Sequence, residues 1–155
     1  MYKTILVPHS GTKGEDEILK HAINLAKPTG KIILLHVVEE LQHPPTFALS
    51  SSESRKLLSA IDSANKSFRK DMEKVMQQKT DLCKKSKIMS KYFVCAGSPS
   101  DEILKIVKNK KIDLIVMAKR RKFRGIKKLL GLGSVSRKIT ENVSCPVLLI
   151  DVEKY

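Results

Sequence analysis

The chain has 155 residues, 41% of them hydrophobic and 30% charged, and a formal charge of +14. That length suits one domain burying roughly two-thirds of its unfolded surface, and the composition excludes a disordered chain. The longest apolar runs, such as Ile32 to Leu35 and Val147 to Ile150, are far too short to span a bilayer.

Met1-Tyr2-Lys3 leads directly into a strand-like run, so no secretory leader is expected, and a cytoplasmic location follows. Three scattered cysteines, Cys83, Cys95 and Cys145, with no C-x-x-C, argue against a disulfide framework and a structural zinc site. Cys95 and Cys145 read as small buried hydrophobes.

In chain order, Lys3 to Pro8 is the first strand, and His9-Ser10-Gly11 a turn. Thr12-x-x-Glu15 has the form of a capping box opening a helix to about Lys27, with Ile18, Ala22, Leu25 and Ala26 on its inner face. Pro28-Thr29-Gly30 stops it, and Lys31 to Val38, nearly all apolar, is a central strand. A loop from Glu39 to Ser52, containing Pro44-Pro45 and three serines, leads to a long helix from about Glu53 to Lys79 or slightly beyond. Its 3–4 spacing of Leu57, Ile61, Ala64, Phe68, Met72, Val75 and Met76 predicts one buried face. Lys87 to Val94 is a third strand, at or near an edge because it carries Lys91. Ser98 as N-cap with Pro99 at the first helical position opens a helix that buries Ile103, Leu104, Ile106 and Val107 and ends near Asn109. Asp113 to Met117 is the fourth strand, Ser134 to Asn142 a short helix, and Pro146 to Val152 the last strand.

The alternation of strands and helices predicts parallel strands joined by right-handed crossovers, an open sheet with helices on both faces.

The stretch from Ile112 to Ser136 carries the chemistry. An apolar strand is followed by a glycine-containing loop with seven basic residues from Lys119 to Lys128 and no acid. Ser134 then reads as the N-cap of the next helix. From Lys105 to Lys128 eleven Lys or Arg face one acid, Asp113. Free N–H groups at a helix start, the helix dipole and close backbone approach at glycine together favour a phosphorylated ligand. A basic field alone attracts phosphate generally, and the alternatives are a dimeric partner-docking protein that binds no nucleotide, or non-specific nucleic-acid binding. Only Phe123 interleaves those charges, however, and no nucleic-acid reading motif is present. The basic segment lacks a sustained apolar face for a membrane.

Tyr2-Lys-x-Ile-Leu-Val-Pro8, Leu34-Leu-His-Val-Val38, Gly97-x-Pro99-x-x-Glu102-Ile-Leu104, Asp113-Leu-Ile-Val-Met117, Gly133-Ser-Val-Ser136 and Cys145-Pro-Val-Leu148 together resemble the universal stress protein family over essentially the whole chain. The resemblance implies a five-stranded parallel sheet in the order 3-2-1-4-5, flavodoxin- and Rossmann-like and akin to adenine nucleotide alpha-hydrolases. It implies a homodimer through the last strand, here Val147, Leu148, Leu149, Ile150, Asp151 and Val152. In one branch it implies an ATP or AMP site, with Mg²⁺ only if ATP is bound. The matching site positions are the Val37 backbone at the base, and Pro8, His9 and Ser10 around it. Ala118, Gly131, Gly133, Ser134, Val135 and Ser136 lie at the phosphates, with Arg120 and Arg121 as local additions.

This sequence departs from the branch's G-x-x-G, nine residues, then G-S or G-T. Ala118 and Arg121 replace the two glycines, the spacing to Gly133-Ser134 is two residues longer, and Ser10 stands where an acid is usual. Arg121 compensates in kind, since a guanidinium binds phosphate bidentately.

An enzyme reading finds little chemistry. Ser10 to Gly14 faintly resembles the pyrophosphate loop of nucleotide alpha-hydrolases but lacks its aspartate and second serine, and no Walker A loop is present. His9 is near the expected crevice but forms no catalytic pair. His36 reads as a hydrogen-bonded core residue, and His21 and His43 as surface. The expected activity is therefore binding, with at most slow, incidental ATP hydrolysis, and no resident metal.

Overall fold

The computed structural model describes residues 1–119 and 133–152. Five strands form one parallel sheet: β1 (Tyr2–Pro8), β2 (Ala26–Val38), β3 (Met89–Ala96), β4 (Leu114–Ala118) and β5 (Val147–Ile150). Their order is β3-β2-β1-β4-β5, as expected, with β3 and β5 at the edges. Among the described residues four α-helices connect them: α1 (Asp16–Leu25), α2 (Ser51–Lys85), α3 (Pro99–Asn109) and α4 (Ser134–Asn142).

Side chains alternate across the sheet, so each strand feeds two cores. Ile5, Val7, Ile32, Leu34 and Val116 face α1 and the end of α2, meeting Ile18, Leu19, Ala22, Met76 and Cys83. Leu6, Ile33, Leu35, Ile115 and Met117 face α3 and α4, meeting Ile103 and Ile139. Val135 and Val143 pack against that second core. Cys95 and Cys145 pack there too, half-buried rather than enclosed, whereas Cys83 is buried.

Several local expectations fail for identifiable reasons. Thr12 makes no capping bond with its side chain. Glu15 instead accepts from the Ser10 N–H at 2.5 Å, a turn earlier, so its carboxylate braces the end of β1. Pro28-Thr29-Gly30 does not separate helix from strand. α1 ends at Leu25 and β2 begins at Ala26, so those three residues lie in β2 at a register shift: Tyr2 pairs with Ala26, but Thr4 pairs with Lys31. β3 runs two residues later than expected, and β5 is trimmed to four residues.

α2 begins at Ser51, capped by Ser50, which exchanges hydrogen bonds with Glu53 in a complete capping box. Its 35 residues make a rod of about 52 Å, twice the length of an eight-residue strand, so only part of it can lie on the sheet. The C-terminal turns do, burying Met76, Lys79, Thr80 and Cys83. Leu57 and Phe68 remain exposed, Phe68 at 50%, contrary to the periodic pattern. Asn65 instead clamps the preceding loop, donating to the Leu41 carbonyl and accepting its N–H. No helix among the described residues is long and apolar enough to cross a membrane.

Candidate functional site

Crossovers leave β1 and β4 on opposite faces of the sheet, and a crevice opens beyond their carboxyl ends. A cavity of about 480 Å³ lies there, within the range of small-molecule sites. Leu35, Val37, Ile103, Met117 and Val135 supply its apolar lining.

The backbone sets its polar edges. The His9 N–H donates to the Leu35 carbonyl at 2.9 Å, closing the ladder between β1 and β2. Residues two apart on a parallel strand present their backbone to the same side, so Val37 turns its N–H and C=O into the gap beyond β1. Val38 faces the other way, its carbonyl accepting from the Gly97 N–H at 3.3 Å. Across the gap, α4 begins. Gly133, not Ser134, is its N-cap, with extended φ −66° and ψ 157°. Ser134 is therefore the first helical residue, and the amides of Ser134, Val135 and Ser136 have no partner within the helix. The Ser136 hydroxyl is not a free ligand: it is buried and donates to the Lys119 carbonyl at 2.6 Å, tying α4 to the end of β4.

Pro8, Ser10, Val37, Ala118, Gly133, Ser134, Val135 and Ser136 thus line one crevice. Ala118 closes β4 in register with Ile150 and has no positive φ, so replacing a glycine there costs little backbone strain. Arg120, Arg121 and Gly131 lie outside the described residues. His9 borders the crevice but is almost fully buried and turned inward. Its Nδ1 accepts the Gly11 N–H at 2.9 Å, which leaves the proton on Nε2, 3.5 Å from Asp16 Oδ1. Burial holds its pKa below the usual imidazole range, against the upward pull of the Glu15 carboxylate. His9 is therefore a neutral floor residue, not a base facing a ligand. Its carbonyl lies 2.8 Å from Nδ1 of His36, which is hydrogen-bonded as expected but half-buried and part of the crevice lining, not a core residue. Beneath this floor, Lys79 of α2 reaches Asp16 Oδ1 at 2.6 Å.

Sequence reasoning missed one wall entirely. Ser98, Pro99 and Ser100, read only as a helix start, bring the N-terminus of α3 to the same cavity. Glu15 and Lys138 also line it, and Lys138 bonds Asp101 at 2.7 Å and holds that carboxyl below the usual carboxylate range. The cysteines offer no ready nucleophile: Cys95 is pushed up to about 11, first by burial and then by Glu102. Burial likewise raises Cys83 and Cys145.

A model of the universal stress protein family matches residues 1–151. The chain belongs to that family. It is 28% identical over 155 residues to a universal stress protein of Methanocaldococcus jannaschii, covering 99% of this chain and 85% of the relative. Protein MJ0577 of the same organism shares the fold at a TM-score of 0.77 and 22% identity, covering 97% of this chain and 96% of that one. A universal stress protein solved in complex with cAMP has a TM-score of 0.67 and 16% identity, covering 97% of this chain and 98% of that one. One from Archaeoglobus fulgidus, solved with dAMP, gives 0.60 and 12%, with the same coverages.

Proposed function

We propose that this universal stress protein is a stress-response or signalling module that binds an adenine nucleotide, AMP or ATP, in the crevice and acts by binding rather than catalysis. The observation that carries the reading is the opposition, across one cavity, of the unpaired Val37 backbone edge and the free amides of α4. A backbone donor and acceptor side by side suit the edge of a purine, and helix-start amides suit phosphate. Pro8, Ser10 and Ala118 then flank the nucleoside, and Gly133, Ser134 and Val135 hold phosphate. Arg120 and Arg121, which follow Lys119 after the end of β4 in sequence, add cationic charge. The cAMP and dAMP complexes of structural relatives support the ligand class. Mg²⁺ enters this reading only with ATP, carried on its phosphates. The inward-facing His9 and the raised thiols support a non-catalytic role. We further place the protein in the cytoplasm, as a single-domain homodimer joined through β5.

Protein purified without added ligand, denatured and passed over an anion-exchange column, should release adenine nucleotide. If none is released, and AMP and ATP produce no thermal shift in the intact protein, the crevice is not a nucleotide site. The chain would then be read as a partner-docking protein.

A further inference from the structure

The end of the sheet opposite the crevice carries a second, strongly basic surface. β3 is an edge strand, and α2 covers only one of its faces. On the other face Met89, Lys91 and Phe93 lie in register with Lys31, Ile33 and Leu35 of β2. Their partners Ile33 and Leu35 belong to the core beneath α3 and α4, yet Met89 is 65% exposed and Phe93 38%. No helix among the described residues closes over them. Lys110, just past the end of α3, places its ammonium 5.3 Å from the centre of the Phe93 ring.

These residues edge an open groove of about 1330 Å³ along the amino ends of the strands. Eight lysines line it against one acid, Asp113, and that carboxylate already accepts the Thr4 N–H at 2.8 Å. Lys87 contributes despite its backbone. It sits at φ 59°, the left-handed position after α2 where the Ile88 N–H bonds back to the Cys83 carbonyl and glycine would fit without strain. A charged side chain is thus held at the groove in a backbone state that does not favour it.

We propose that this exposed face of β3, with the lysines around it, binds single-stranded nucleic acid, its phosphates on the lysines and its unstacked bases against Phe93 and Met89. Phosphate attraction explains the charge. An exposed aromatic and a thioether between lysines on an open sheet face are what unpaired bases use and a duplex does not. The site is separate from the crevice, since Lys31 and Val37 lie about 20 Å apart along β2.

The test is fluorescence anisotropy with a fluorescein-labelled oligouridylate 12-mer, titrated at several salt concentrations. The groove variant Lys31→Gln/Lys91→Gln/Lys110→Gln is compared with Lys56→Gln/Lys66→Gln/Lys70→Gln, three exposed lysines of α2 that remove the same charge. The groove variant should bind at least ~10-fold more weakly, and its dependence of log K on log salt should flatten by about 2, roughly 0.7 for each lost phosphate contact. The α2 variant should stay near the parent, and Phe93→Ala should weaken binding of the single strand but not of a duplex. Saturating AMP should leave oligonucleotide binding unchanged. The proposal is overturned by equal losses in the two triple variants, by no binding in the parent at low salt, or by binding of a duplex or phosphatidylserine vesicles tighter than that of the single strand.

Discussion

His9 shows how one residue serves a site without touching a ligand. Its buried ring lies beside Glu15 and Asp16, and its Nδ1 receives the Gly11 N–H that shapes the turn after β1. Because burial lowers its pKa in the folded state, the unfolded chain takes up a proton first as pH falls. Stability from this group is complete above about pH 6.5 and declines below it by up to about 1.4 kcal/mol per pH unit until the folded-state pKa is reached. Denaturant titrations across pH 7.5 to 5 should show this decline, and His9→Asn should remove its contribution. A decline of the same size in both proteins would place the titrating group elsewhere. Gly30 is a second such position. A Cβ there would lie 2.9 Å from the Lys27 carbonyl oxygen and 3.0 Å from that of Tyr2. Gly30→Ala should therefore destabilise the domain by about 1–3 kcal/mol, measured by urea unfolding. Neither role could be read from the sequence, where His9-Ser10-Gly11 is only a turn and Pro28-Thr29-Gly30 looks like a stop.

At the scale of elements, strand positions were legible because buried parallel strands are continuous apolar runs, and the start of α3 because Ser98-Pro99 punctuates it. The long helix was less so. Its apolar spacing persists over the N-terminal half, but periodicity records a face, not whether anything covers it. The sheet is too short to cover this one. Lys79 marks where α2 does engage, through Asp16, and so links the outer helix to the floor of the crevice. Both side chains are largely buried, so Lys79→Met should cost about 3 kcal/mol, and Asp16→Asn/Lys79→Met should recover most of it, because the penalty is an unpaired charge. Additive losses in the double variant would mean that the pair is not coupled. The opening of α4 was misplaced by one residue, since glycine and serine both cap well and only the backbone distinguishes them.

The whole-molecule arrangement followed from strand order and the family resemblance, with the sheet order matching in full. The surface at β5 did not follow as closely. Ile150 and Val152 are buried within the chain itself, which leaves Val147, Leu148 and Leu149 half-buried along the edge. The carbonyls of Pro146 and Ile150 point toward β4, so Val147 and Leu149 present their backbone outward. If β5 pairs with a second copy, as proposed, Leu149→Pro deletes an outward N–H and spares the ladder to β4. It should convert a dimer to a folded monomer in sedimentation velocity, and a dimer that survives would move the interface. What sequence reasoning could not supply was the third wall of the crevice, because α3 reaches it through folding and not through any phosphate-binding pattern.

The most direct measurement is calorimetric titration of AMP into the parent protein and into Ser134→Pro. Proline suits the first position of a helix and follows an extended Gly133, so this change removes one amide and leaves α4 intact. The parent should bind AMP with one site per chain, and the variant about tenfold more weakly or worse at unchanged melting temperature, the loss of one amide hydrogen bond to a charged phosphate. Equal affinities in the two proteins, or no heat in the parent, would contradict a crevice built to hold nucleotide on the start of α4.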